Sequence, residues 1–191
     1  MSDYPDFSSL SRFIFQAKTN QNQAMDVETD VYEPLNGEIK AVLGIDIGST
    51  STKAALMDDS GKMLSGFYTR TTWRPLGAVL RIFEAIDYLA QKEDISLKII
   101  GVGTTGSGRK FIGQIIGADL ILDEITAHAR AATSLNPKVD TIIEIGGQDA
   151  KFTTLRNGRV SSATMNTVCA AGTGSFIEEQ AKKIRLSFGR L

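Results

Sequence analysis

The chain has 191 residues, 42% apolar and 23% charged, which suits one domain with a sizeable core and is ordinary for a soluble globular protein. Its 21 basic and 22 acidic residues leave a formal net charge of −1 with no run of Lys or Arg, so there is no electrostatic case for nucleic-acid binding. No stretch approaches the roughly 20 apolar residues that span a bilayer, and the first residues lack the basic start and apolar core of a signal peptide. The single cysteine, Cys169, forms no internal disulfide, and a cytoplasmic setting is expected.

Residues 1–38 are rich in Asn, Gln, Asp, Glu, Thr and Ser without a sustained apolar period, and they read as a polar tail or linker with a short hydrophobic anchor at SLSRFIFQA. From Ile39 onward the pattern is strand-rich. AVLGIDI, TKAALMD and KMLSGFYTR, separated by turns at Gly48 and at Asp59-Ser60-Gly61, predict a meander. A long helix follows Pro75, with Leu80, Phe83, Ile86, Tyr88 and Leu89 at helical spacing. KIIGVG, GRKFIGQIIG, ADLIL and EITAHARAATSL then alternate strand, helix, strand, helix, the sign of an α/β lobe with parallel strands and crossovers. VDTIIEIG and AKFTTLR are further strands, Asn157-Gly158 is a hairpin turn into RVSSATM, and a helix is expected from about Thr173 to Ile184.

Two glycine-rich turns stand out in this pattern, GIDIGSTSTK at 44–53 and IIEIGGQDAK at 142–151. Each joins an apolar strand to a carboxylate and then to a bend. In the first, Gly48, Ser49, Thr50 and Ser51 turn amides and hydroxyls toward an anion, while Asp46 sits where it can hold a hydrated Mg²⁺. In the second, Gly146 and Gly147 let the backbone approach phosphate, and Gln148 and Asp149 are placed to position an attacking water and the metal, with Glu144 as the paired carboxylate. Two turns of one design suggest a clamp around a polyphosphate.

A rival reading starts from Gly101, Gly103 and Gly106, a literal G-x-G-x-x-G between an apolar strand and a helix, with Asp123 downstream to hold a ribose. It describes an NAD-binding module, but it leaves both carboxylate-bearing turns unexplained. His128, four residues after Glu124, is expected to make an intrahelical pair and nothing catalytic.

The order GIDIGSTSTKAALMD, GVGTTGSGRKF, DEITAHARAA, IIEIGGQDAKF and MNTVCAAGTGSF resembles the ATP-dependent activases of 2-hydroxyacyl-CoA dehydratases and the ATPase subunits of benzoyl-CoA reductase, over about Ile39 to Ile184. The resemblance implies a ribonuclease H-like lobe of the actin, sugar kinase and heat-shock-chaperone ATPase superfamily, with ATP bound in the cleft between two lobes. It gives Lys53 the basic position at the end of the first loop. It matches Gly108-Arg109 to the end of a glycine-rich loop, and it sets Glu144 where many activases carry Asp. It makes Cys169 one of two cysteines per subunit that ligate a 4Fe-4S cluster on the two-fold axis of a homodimer. Gly172, Thr173 and Gly174 then begin a helix whose amides face the cluster or the nucleotide.

The implied partners are a dehydratase or reductase acting on a CoA thioester and a ferredoxin- or flavodoxin-type electron donor. On this reading residues 39–191 are the N-terminal ATPase lobe with the start of a connection to a second lobe that this chain lacks. The fragment alone is then expected to be inactive, since the second cysteine and the adenosine-binding turn belong to that lobe. A non-catalytic nucleotide-binding module and a sugar- or acetate-type kinase lobe are the other readings.

Overall fold

The computed structural model describes residues 19–22, 26–166 and 173–183. Its elements in chain order are β1 (Thr19–Asn22), β2 (Glu28–Val31), β3 (Glu38–Ile47), β4 (Ser51–Asp58), β5 (Met63–Arg70), α1 (Pro75–Lys92), β6 (Ser96–Thr105), α2 (Arg109–Ile116), β7 (Leu120–Ile121), α3 (Glu124–Leu135), β8 (Thr141–Ile145), β9 (Ala150–Arg156), β10 (Arg159–Met165) and α4 (Gly174–Lys183). The strands form two separate sheets, one of seven in the order β1-β2-β5-β4-β3-β6-β7 and one of three in the order β10-β9-β8.

The meander is present as the antiparallel set β3, β4 and β5, and β6 and β7 extend it in parallel from β3. Alternation in β3 sends Ala41, Leu43, Ile45 and Ile47 into the core. They meet α1 through Val79, Ile82, Ala85, Ile86 and Leu89, and α2 through Ile112. Pro75 opens α1, where its missing N–H costs nothing. The buried stripe of α1 differs from the expected one, because Leu80 and Tyr88 are exposed while the small residues Ala78 and Ala85 lie against the sheet. Long apolar side chains therefore misplaced the face by about one position; close packing of the helix on the sheet favours alanine there.

The expectation of a linker through residue 38 is corrected for its described part. Glu28–Val31 pairs antiparallel with β5, and Val27, Thr29, Val31 and Leu35 are buried. An alternation of four residues with threonine and two acids in it carries too little apolar signal to read as a strand; pairing to β5 supplies the stability. The SLSRFIFQA segment lies outside the described residues. No described helix is long and apolar enough to cross a membrane.

Candidate active site

The two glycine turns are two copies of one hairpin. In β3-turn-β4, Gly48 N–H donates to Ser51 O at 3.0 Å; in β8-turn-β9, Gly146 N–H donates to Asp149 O at 2.8 Å. A Cβ on Gly48 would lie 2.8 Å from Ser51 O, which excludes a side chain from the first bend, and one on Gly146 would lie 3.2 Å from Asp149 O, which would open the second by a few tenths of an ångström. The lysine follows the carboxylate by seven positions in both, and register pairs Asp46 with Lys53 and Glu144 with Lys151. Each lysine Nζ lies 3.2 Å from its carboxylate.

Packing brings the copies face to face: a Cβ on Gly147 would sit 3.1 Å from Thr50 Oγ1. Between them lies a cleft of about 290 Å³ lined by both turns, from Gly48 to Ser51 and from Glu144 to Asp149, together with Asp46, Lys53, Ser107, Glu124, His128 and Lys151. Four carboxylates there face two ammonium groups, an excess of negative charge that suits one divalent cation.

Asp46 has the features of a cation ligand. One oxygen meets Lys53, but Oδ1 is buried without a hydrogen-bond partner, and Thr105 Oγ1, on the residue paired with Asp46 in β6, is in the same state. Buried polar atoms are rarely left so, and at Asp46, which lines the cleft, a hydrated cation would supply the missing partner. Gly106 makes room at this corner: its φ is +84°, and a side chain there would run into Asp46 and the Ile47 carbonyl. Gly108 N–H and Ser107 Oγ both donate to the Ile47 carbonyl, so the 106–108 loop buttresses the first turn.

The second copy is spent differently. Glu144 Oε1 accepts from Lys151, Oε2 lies 2.8 Å from His128 Nδ1, and Lys151 also reaches Glu124 Oε1 at 3.3 Å. Lys151 is only 7% exposed. Burial pulls its pKa down, but the two carboxylates outweigh burial and hold it above the usual lysine value. Both oxygens of Glu144 are thus occupied by protein, and the extra methylene relative to Asp carries its carboxylate onto α3 rather than toward a metal.

Helix α4 docks on the second turn. Gly174 N–H and Ser175 N–H donate to the Gly146 and Gly147 carbonyls, Thr173 Oγ1 donates to Gly147 O, and Gln148 Nε2 donates to Ser175 Oγ. The expectation that this helix start offers free amides to an anion is corrected for Gly174, whose amide is used inside the fold. Gly172 and Cys169 lie outside the described residues.

The dinucleotide reading is corrected as well. Gly101 and Gly103 are interior residues of β6, paired with Val42 and Gly44, and only Gly106 lies at a turn. Asp123 is the N-cap of α3, with one oxygen taken by Thr126 N–H and the other by Thr126 Oγ1. The Thr126 hydroxyl and amide hold its carboxyl below the usual range, and this capping carboxylate does not line the cleft.

Three contributors were missed by sequence reasoning. Lys151 stood inside the second motif unweighed, and Glu124 and His128 were paired with each other, whereas His128 reaches Glu144, sixteen positions away in sequence, and Glu124 reaches Lys151. The i,i+4 spacing was the available signal; it marked a shared helix face rather than a bond.

A five-strand core of antiparallel meander and parallel extension, with one glycine turn of its own and a matching turn brought against it by a separate three-stranded sheet, is the lobe of an actin-like ATPase. The sequence profile of the BadF/BadG/BcrA/BcrD ATPase family matches residues 43–190, and the chain belongs to that family. It is 33% identical over 150 residues to the (R)-2-hydroxyglutaryl-CoA dehydratase activating ATPase of Acidaminococcus fermentans, covering 78% of this chain and 55% of that protein. It is 35% identical to the 2-hydroxyisocaproyl-CoA dehydratase activator of Clostridioides difficile, covering 78% and 54%. The solved activator of the 2-hydroxyisocaproyl-CoA dehydratase from Clostridium difficile with bound ADPNP superposes with a TM-score of 0.63 at 34% identity, over 77% of this chain and 53% of that one. The chain spans about half the length of these relatives.

Proposed function

We propose that this chain is the nucleotide-binding portion of an ATP-dependent activator of a dehydratase or reductase acting on a CoA thioester, and that the cleft takes the β- and γ-phosphates of ATP with Mg²⁺. The observation that carries this reading is the apposition of two hairpin turns of one design across one cleft. Ser49, Thr50 and Ser51 supply hydroxyl and amide donors to phosphate oxygens, and Gly147 admits the phosphate to the backbone of the second turn. Asp46 holds the waters of Mg²⁺, whose charge neutralises the triphosphate, and Lys53 balances Asp46 and faces the same anion. Gln148 and Asp149 orient the attacking water. The ADPNP bound by the Clostridium difficile relative supports the nucleotide class.

The redox half of the reading rests on family resemblance. A 4Fe-4S cluster takes four thiolates, and this chain has one cysteine, so a homodimer supplies Cys169 twice and no more. The residues of this chain do not suffice for that cluster. A cytoplasmic location, a homodimer and a ferredoxin- or flavodoxin-type donor belong to the same proposal, as does an ATPase lobe over residues 39–191, to which the paired strand Glu28–Val31 is added. The test is calorimetric titration with Mg-ADP and with NADH. Mg-ADP binding that weakens in Gly146→Val is expected; binding of NADH alone sinks the reading.

A further inference from the structure

His128 and Glu144 form a carboxylate–imidazole dyad on the wall of the cleft. The carboxylate accepts from Nδ1 at 2.8 Å, so Nδ1 carries the ring proton of the neutral imidazole and Nε2 is left with a free lone pair. Among the described residues Nε2 has no protein partner, and His128 lines the same cleft as the two turns. Glu144 cannot swing away, because its other oxygen is pinned by the buried Lys151 ammonium, which Glu124 holds from the opposite side. The ring is therefore fixed in tautomer and orientation by a chain of contacts running from β8 and β9 to α3.

The trio Glu124, His128 and Glu144 has ligand atoms within 4.8 Å of one another, the spacing of a metal site. Lys151 already fills that space with positive charge, and Nδ1 is committed to Glu144. The arrangement instead matches an oriented base, in which a carboxylate sets the tautomer and stabilises the imidazolium that forms.

We propose that His128 is the catalytic base of ATP hydrolysis in this protein, an inference that rests on the ATPase reading. The water oxygen forms a bond to the γ-phosphorus while the bond from γ-phosphorus to the β–γ bridging oxygen breaks. The water's proton passes to His128 Nε2, ADP leaves with the electron pair, and inorganic phosphate is released. Imidazole is the cleft's one group that ordinarily exchanges its proton between pH 5 and 8. Of the cleft's carboxylates, Glu124 and Glu144 are held by Lys151 and one Asp46 oxygen by Lys53, while Asp149 is left to orient the attacking water rather than to take its proton. The charged groups around the ring are Glu124 on its own helix, Glu144 on β8, Lys151 on β9, and Asp46, Lys53 and Asp149 across the cleft.

The full-length protein tests this with His128→Asn, whose amide nitrogen keeps a donor for Glu144 while removing Nε2. Single-turnover hydrolysis is expected to fall about 100-fold, the lower end for a general base, with Mg-ADP affinity within about threefold. The wild-type rate is expected to decline at acid pH and the variant's rate to lose that limb. His128 is the only histidine, so its ring nitrogens are read directly by ¹⁵N correlation spectra without mutation. A proton on Nδ1 at pH 8 is expected, and a proton on Nε2 overturns the proposal. Unchanged turnover in His128→Asn overturns the base assignment alone. Failure of the wild type to bind Mg-ADP overturns the ATPase reading and this one with it.

Discussion

Thr50 and Gly147 mark the point where the two turns touch: the Thr50 hydroxyl fits against the Gly147 backbone only because no Cβ intervenes, the nearest approach being 3.1 Å from the position one would take. The width of the cleft is set there rather than by either turn alone. Gly147→Ala must push the turns apart by a few tenths of an ångström. Nucleotide affinity is expected to fall about tenfold, equivalent to about 1.4 kcal/mol, while the far-ultraviolet circular dichroism stays native. A Gly147→Ala protein that binds Mg-ADP with wild-type affinity removes this contact from the clamp.

Asp46→Asn probes the first turn in a different way. The substitution is nearly isosteric, keeps a partner for Lys53 and leaves the hairpin bond from Gly48 to Ser51 intact. Loss of the charge that holds the cation is expected to cut ATP turnover about 100-fold, with little change in thermal midpoint. Turnover within twofold of wild type would rule out Asp46 as the metal-linked carboxylate.

Much of this arrangement was legible in the sequence because it repeats. The spacing of Asp46, Gly48 and Lys53 recurs in Glu144, Gly146 and Lys151, and the meander, the crossovers and the α4 helix follow from apolar period and turn residues. What escaped depends on distance in the chain. Contact between Glu144 and His128 needs the β8–β9 sheet to lie on α3, which no local period encodes. Burial of Lys151 follows from its register opposite Glu144 and from Glu124 closing over it, and single-chain periodicity gives a strand lysine no such partner. β2 went unread because its stability comes from β5, more than thirty residues later in the chain.

Asp123 separates the nucleotide readings by stability. As the N-cap of α3 it satisfies Thr126 N–H at 2.9 Å, so Asp123→Ala is expected to cost about 1 kcal/mol of folding free energy, read as a lower urea midpoint. Mg-ADP affinity is expected to remain unchanged, because the carboxylate lies at a helix end and does not line the cleft. Loss of nucleotide binding in a folded Asp123→Ala protein would restore the ribose role.

Lys151 carries the sharpest pH prediction. Its ammonium lies between Glu124 and Glu144 at 3.3 and 3.2 Å, and its folded-state pKa is held above the usual 10.5. The folded protein therefore binds this proton more tightly than the unfolded chain does. The resulting stabilisation is fully present below pH 10.5 and is lost as pH rises through the folded-state value. Lys151→Met removes the cation and leaves two carboxylates facing each other with His128 as their remaining partner. At neutral pH the variant is expected to lose about 3 kcal/mol, the lower end for breaking a buried ion pair because Glu124 is partly solvated. As pH rises above 10.5 the wild-type urea midpoint should fall while the variant's changes less, since the group that titrates there is gone. Equal alkaline slopes for the two proteins would show that Lys151 titrates alike folded and unfolded, and the ion-pair network would then contribute nothing to the hold of β8 and β9 on α3.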